Sequence, residues 1–460
     1  MTKEYKPNAI DIEHMFIINF EGQVLEISNI MTSFEIQESI FMETMKVSLN
    51  IRSSVALIEK FPIIGEETLV IKFSTPEAKK REYIFFIDSI DNRKNVNDKT
   101  EEFTLSGIST EAIGNKFAAV NEAYSGMPIS DIVKKVYDNH IKDFIKYKNG
   151  NPFNFKKKKL TVDKTLGSHH IIGTGGYPLD FIKECSNQAE SADYIGRSEF
   201  LFYENYNGFH FKTIAGLVDE TKNPVKEKFY FGFNPNLNQK ERKSSDIKNY
   251  QAISSLKFNS TLDVKNNAEM GMYGNDIMFF DPITKTYREK TYIYDRDFDK
   301  VGGIANKKII SDNSIFSNHE NFKTRSSHGR YFIANDIEGY NSSEYIKGKL
   351  SLDPTLNYPS RRQNFLNSNI TKAAQFVNTI SLNIMVPGNS ILVAGDQISI
   401  FIPENSSTTE SLERFNFFFG DQARFLIFAT NQVYIGGEYY SIYSCTRDGF
   451  SRKPKSRGNK

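Results

Sequence analysis

The chain has 460 residues, 39% of them hydrophobic and 25% charged, which fits a folded protein of about three or four domains and excludes disordered and collagen-like architectures. Its 58 Lys and Arg against 56 Asp and Glu leave a net charge of +2, so no overall field draws it to nucleic acid or to an anionic membrane. The two cysteines, Cys185 and Cys445, are too few and too far apart for a disulfide framework, and no apolar run reaches the roughly 18 residues of a membrane span. A chain made in the cytoplasm, without a signal or an anchor, is expected.

Residues 14–110 alternate short apolar runs, at 16–20, 24–30, 45–51, 68–73, 83–90 and 102–108, with turn signals at Gly22, 62–65 and 92–99. That spacing predicts a first all-β unit, assigned to residues 1–110. The period then changes. Pro128 opens a predicted helix with Ile129, Ile132, Val133, Val136 and Phe144 on one face, and Pro178 opens another with Leu179, Ile182, Cys185 and Ala189 aligned. Asn207-Gly208 predicts a hairpin turn between two aromatic-rich strands, so residues 111–245 read as an α+β domain. Residues 246–364 hold strand pieces at 252–258, 276–280 and 331–334 among polar insertions, and a helix is expected at 360–376. The β pattern returns over 365–450, and residues 451–460 form a basic tail without apolar anchors.

The two β regions share a cassette. VSLNI at 47–51 is matched by ISLNI at 380–384, and each copy continues through a glycine followed by an acid, Gly65-Glu66 and Gly395-Asp396, into an alternating strand. Each copy then ends on an aromatic-rich strand, at 83–90 and 424–433. Any two β units in one chain share some of this; the common order points to duplication. The predicted fold class is a β-rich α+β multidomain chain with two tandem similar antiparallel β-barrels, separated by an α+β domain and polar insertions.

With these stretches in view, the chain resembles the baseplate central hub proteins of T-even-type contractile-tailed phages. The resemblance is carried by 33–51, by the helix and hairpin at 177–211, and by the arginine-bearing stretch and the Pro-Gly and Gly-Asp turns at 360–403. It implies a homotrimer whose tandem barrels make a ring of six similar positions. Such a ring joins a hexameric tail tube, or its tube-initiator proteins, to a trimeric spike, and lets DNA pass without binding it specifically. The implied location is the tail baseplate of the virion. Alternatives are a secretion-system spike-base protein and a tail-associated wall hydrolase or sugar-binding module.

No catalytic, cofactor or metal site is predicted, and no enzymatic activity is expected. His169-His170 lacks further ligands at metal spacing. Gly173-Thr174-Gly175-Gly176 precedes a helix but lacks the Lys-Ser/Thr of a phosphate loop. The acid pairs Glu38 with Glu43 and Asp295 with Asp297 carry no sign of glycosidase separation. Lys156–Lys159, with only Phe153 and Phe155 nearby, reads as a charged loop, and Arg452–Lys460 as either a docking tail or a solubilising one.

Overall fold

The computed structural model describes residues 8–54, 57–75, 80–142, 158–194, 197–231, 251–261, 263–281, 286–297, 304, 328–333, 380–402 and 423–449. The expected helix at 360–376, the basic tail, Phe144, Lys156 and Lys157 lie outside them.

The short apolar runs at the start of the chain become β1 (Asp11–Ile18), β2 (Val24–Glu26), β3 (Met31–Ser39), β4 (Lys46–Ser53), a single helical turn α1 (Leu57–Lys60), β5 (Thr68–Ser74), β6 (Arg81–Asn97) and β7 (Thr100–Ile108). β4 shows why: Val47, Leu49 and Ile51 are buried while Lys46, Asn50 and Arg52 face water, a period of two with one dry face. Antiparallel pairing runs β1–β5–β6–β7–β4–β3. The circuit closes through one bipartite segment, because β2 pairs with β1 while β3, directly after it, pairs with β4. At the crossing the Ile27 N–H donates to the Met15 carbonyl and the Arg52 N–H to the Ile30 carbonyl. Inside lies a core that includes Met15, Phe34, Leu49, Phe73, Phe85 and Leu105. Phe34 of β3 and Phe73 of β5, with three strands between them in the pairing order, have ring centroids 5.9 Å apart, so the sheet curls back on itself.

The middle of the chain supplies α2 (Thr110–Phe117), β8 (Ala123–Met127), α3 (Ile129–Val136), β9 (Lys159–Val162), β10 (Thr165–Leu166), β11 (His169–Ile172), α4 (Pro178–Ser186), β12 (Glu190–Ser191), β13 (Phe200–Asn205), β14 (Gly208–Thr213) and α5 (Ile214–Val218). Both proline-led helices form. Ile129, Ile132, Val133 and Val136 of α3 and Leu179, Ile182 and Cys185 of α4 share one core with Phe202, Phe209 and Phe211 of the hairpin. The turn sits one residue earlier than the Asn-Gly pair suggests: Asn205 pairs with Gly208, leaving Tyr206 and Asn207 as the loop. Gly208 adopts φ +123°, and a Cβ there would come 2.3 Å from the Lys159 carbonyl, because β9 packs alongside β14 in parallel.

The second unit comprises β15 (Val225–Phe231), β16 (Ala252–Ile253) and β17 (Ser255–Thr261), then, after an insertion, β21 (Ile380–Pro387), β22 (Gln397–Phe401), β23 (Arg424–Ile435) and β24 (Glu438–Arg447). The insertion holds a separate sheet of β18 (Gly274–Asp281), β19 (Thr286–Ile293) and β20 (His328–Ile333). Pairing runs β15–β22–β23–β24–β21–β17 and returns to β15 through β16, again a bipartite segment, with the Ser254 N–H bonded to the Met385 carbonyl. Strand for strand, β1 to β7 and the set β15, β16, β17, β21, β22, β23, β24 follow the same chain order and the same circuit. They differ in one direction: β15 runs parallel to both neighbours where β1 is antiparallel to both, so the second unit is not wholly antiparallel.

Two sequence readings need correction. The second unit is not contained in 365–450, since residues 225–261 supply its first three strands; partners in a sheet need not be near in sequence, and the polar stretch is inserted inside the unit. The SLN tripeptides are also not in equivalent register. Both long strands carry a bulge at the same place, Ile87/Ser89 in β6 and Ile427/Ala429 in β23. Ile87 is level with Gly107 and Val47, whereas Ile427 is level with Cys445 and Leu382, so Val47 corresponds to Leu382 rather than Ile380. A shift of two keeps the apolar face inward, which hides it from pattern reading.

Candidate functional site

The two units join edge to edge. Past its bulge β23 leaves β22 and pairs instead with β3, from Ala429 opposite Ser39 to Ile435 opposite Ser33, antiparallel throughout. Backbone pairing therefore crosses from one unit to the other without a gap. The Asn431 side-chain amide donates across the seam to Glu35, and Phe34 stacks on Tyr434 at 5.4 Å. Tyr439 belongs to β24 yet sits fully buried in the first unit's core, 5.4 Å from Phe73 by ring centroids, its hydroxyl donating to Gln432 at 2.7 Å. Gly388 leaves room for it: a Cβ there would lie 1.9 Å from the Tyr439 ring.

Beside the seam lies a buried polar junction where both units meet the β13–β14 hairpin. Glu38 accepts from the Tyr206 N–H at 3.1 Å and from the Ala394 N–H at 3.3 Å, tying the end of β3 to the hairpin loop and to the turn before β22. Burial pushes its carboxyl up to about 7, against the pull of the two N–H groups and of Arg81. Arg81 lies 3.7 Å above the Tyr206 ring and donates to the Ile391 carbonyl at 3.0 Å. Asn205 donates to the Ala394 carbonyl, Asn223 to those of Leu217 and Gly395, and Gln397 to that of Leu217.

The cassette turns belong to this frame. Gly65 and Gly395 have φ +98° and +97°, a region closed to most side chains. In the second copy Asp396 accepts from the Val393 N–H at 3.1 Å and pairs with Lys226 at 2.6 Å. In the first copy the buried turn carboxylate is Glu67, not Glu66; it accepts from the N–H groups of Ile64 and Gly65. Both acids do the same work, holding the tight turn that starts the strand.

A second charged cluster anchors the α+β domain to the first unit. Glu204, fully buried, takes Ser109 Oγ at 2.5 Å, the Met45 N–H at 3.0 Å and Lys158 Nζ at 2.5 Å, and Lys158 also reaches Glu111 at 2.6 Å. Burial favours neutral Lys158, but the two carboxylates outweigh it and hold the ammonium above its usual range. Lys158 is thus part of a packed junction and not of a solvated charged loop.

The other residues considered for chemistry are placed apart. Burial lowers His169 to about 4, whereas His170 bonds Ser125 at 2.6 Å. No group of three or more potential metal ligands is assembled among the described residues. In the glycine stretch the N–H groups of Gly173 and Gly175 donate to the carbonyls of Glu122 and Val120, so those two are not available to cradle phosphate. A Cβ at Gly173 would meet the Val120 carbonyl at 2.5 Å, and close packing accounts for the glycine. Glu43 pairs with Lys183 at 3.2 Å, away from the partners of Glu38, and Asp297 accepts from Arg296 and from the Ile293 N–H. Both thiols are free and buried, in different cores. Among the described residues no helix is long and apolar enough to cross a membrane.

Solved structures share this arrangement of two matching circuits. A tail protein from Neisseria meningitidis superposes over 95% of this chain and 96% of its own, with TM-score 0.53 and 10% identity. The 43 kDa tail protein of prophage MuSo2 from Shewanella oneidensis does so over 95% and 99%, with TM-score 0.51 and 10% identity. The chain shares its fold with phage tail proteins. No family model matches the sequence, and no curated protein matches it. The likeness at this identity is one of fold, spanning nearly the whole of all three chains.

Proposed function

We propose that this chain is a structural hub of a phage-type tail: a homotrimer whose six β units form a pseudo-sixfold ring between a hexameric tube and a trimeric spike, around the path of DNA. The observation that carries the reading is the duplication in topology, two units with the same strand order and closing segment, already joined by a continuous seam. A trimer of such chains presents six similar faces, which is what a junction between sixfold and threefold partners requires. The shared fold with two tail proteins supports it.

The role is geometric, not catalytic. The residues that could have served chemistry are spent on joints: Glu38, Glu204 and Lys158 fix the angle between units and hairpin, and the glycine stretch packs on residues 120–122. In this reading the passing DNA meets no dense basic lining, because phosphate contacts would hold it. Electron microscopy of the purified chain tests the proposal. Rings with threefold or pseudo-sixfold symmetry are expected; a monomer at all concentrations refutes the reading, and lysis of peptidoglycan by the pure chain refutes the non-catalytic role.

A further inference from the structure

The charged cluster between the α+β domain and the first unit brings an amine, a carboxyl group and a proton carrier into contact. Lys158 Nζ lies 2.5 Å from Glu204 Oε1 and donates to Glu111 Oε2 at 2.6 Å. The other oxygen of Glu204, Oε2, accepts from Ser109 Oγ at 2.5 Å and from the Met45 N–H at 3.0 Å. Two donors on one carboxyl oxygen form the arrangement that stabilises an oxyanion when a nucleophile adds to the carbon. Oε1, facing Lys158, is then the oxygen that can depart.

The reactants are fixed in place and largely dry. Tyr137 donates its hydroxyl to the Lys158 carbonyl at 2.9 Å, and the buried Phe209 ring lies 5.8 Å from Nζ. Contact of this kind replaces a bimolecular encounter. Burial, together with Glu111 and against the pull of Lys158, raises the Glu204 carboxyl toward its neutral form. A neutral acid is the electrophile that an amine requires.

We propose that Lys158 Nζ and the Glu204 carboxyl condense into an isopeptide bond within the folded chain, with Glu111 carrying the protons. Glu111 takes one proton from the ammonium, and the free amine adds to Cδ of Glu204 while Oε2 is held by Ser109 and Met45. Glu111 returns its proton to Oε1, which leaves as water, and then takes the last proton from the new amide nitrogen. The N–C bond forms, the C–O bond breaks and no redox partner is needed. A neutral amide replaces a buried ion pair, which removes the cost of keeping two charges out of water. The bond would staple the start of β9 to β13 across β14, a constraint of the kind a disulfide gives, in a chain whose two thiols are free and buried in different cores. It does not depend on the hub reading.

Intact-mass spectrometry of the folded full chain is the test. Wild type should read about 18 Da below its sequence mass, the loss of one water, and peptide mapping should recover a branched peptide joining Lys158 to Glu204. Lys158→Arg keeps a cation but cannot form this bond, and Glu111→Gln keeps both reactants without the carrier. Both variants should read at full mass. Wild type at its full sequence mass overturns the inference. So do a branch at Glu111 in place of Glu204, a water lost from Lys158→Arg, and a Glu111→Gln chain that cross-links as fast as wild type. Should either variant fail to fold, the wild-type mass and its branch site decide alone.

Discussion

Glu38 offers the most discriminating perturbation, because its effect on stability has a sign set by burial. Its carboxyl moves from an unfolded value of 4.5 to about 7 in the folded chain, so between those values the folded state binds the extra proton. The Glu38 contribution is therefore fully present below about pH 4.5 and is lost as pH rises through 7. Between about pH 5 and pH 8 this amounts to about 2–3 kcal/mol, at about 1.4 kcal/mol per pH unit in the window where the two states differ. Glu38→Gln cannot titrate but keeps one acceptor for the N–H groups of Tyr206 and Ala394, so it carries a pH-independent loss of about 1–3 kcal/mol. His169 and His210, lowered by burial to about 4 and about 3, act in the opposite direction and are common to both proteins. Their contribution cancels in the difference. Equilibrium urea unfolding followed by circular dichroism should show wild type losing about 2–3 kcal/mol relative to Glu38→Gln from pH 5 to pH 8, so that the gap closes or reverses. A gap that stays constant would refute the idea that Glu38 is held in a dry joint between the units.

Other joints give separate outcomes. Gly388→Ala should cost about 1–3 kcal/mol by forcing Tyr439 from the first unit's core, read as a lower thermal midpoint and greater cleavage near the seam in limited proteolysis. Lys158→Met should cost about 3–5 kcal/mol by stranding Glu204 among buried atoms; adding Glu204→Gln should recover part of the loss, and strict additivity in the double variant would contradict the coupling. Tyr439→Phe should cost about 1 kcal/mol through the lost bond to Gln432, with no change in assembly size by native mass spectrometry.

Much of the fold was legible because it is local. Alternation in β4, the proline starts of α3 and α4, and the glycine turns at 65 and 395 each follow from a few adjacent residues. What could not be read was set at a distance. Nothing in Val225–Phe231 announces that its partner lies at 397–401, and nothing in Ser33–Ser39 points to β23. The charged joints were hidden for a related reason: Glu38 beside the seam and Lys158 between the α+β domain and the first unit look like surface charges until the segments that bury them are in place. The SLN identity drew attention to the right strands but in a register offset by two, since parity is all that a hydrophobic pattern records.

Tyr439 completes a core whose other fully buried members end at Leu105, and this has a consequence for synthesis. A ribosome adding about 5–20 residues per second takes on the order of 20–60 s to travel from the first core's last strand to that tyrosine. Throughout that interval the first unit stands without its closing ring, with the edge that β3 will give to β23 still bare. The early half of the chain is thus held in an unfinished state until almost all of the protein exists. A truncated product would carry an incomplete core and an open strand edge, the kind of surface that chaperones and proteases recognise.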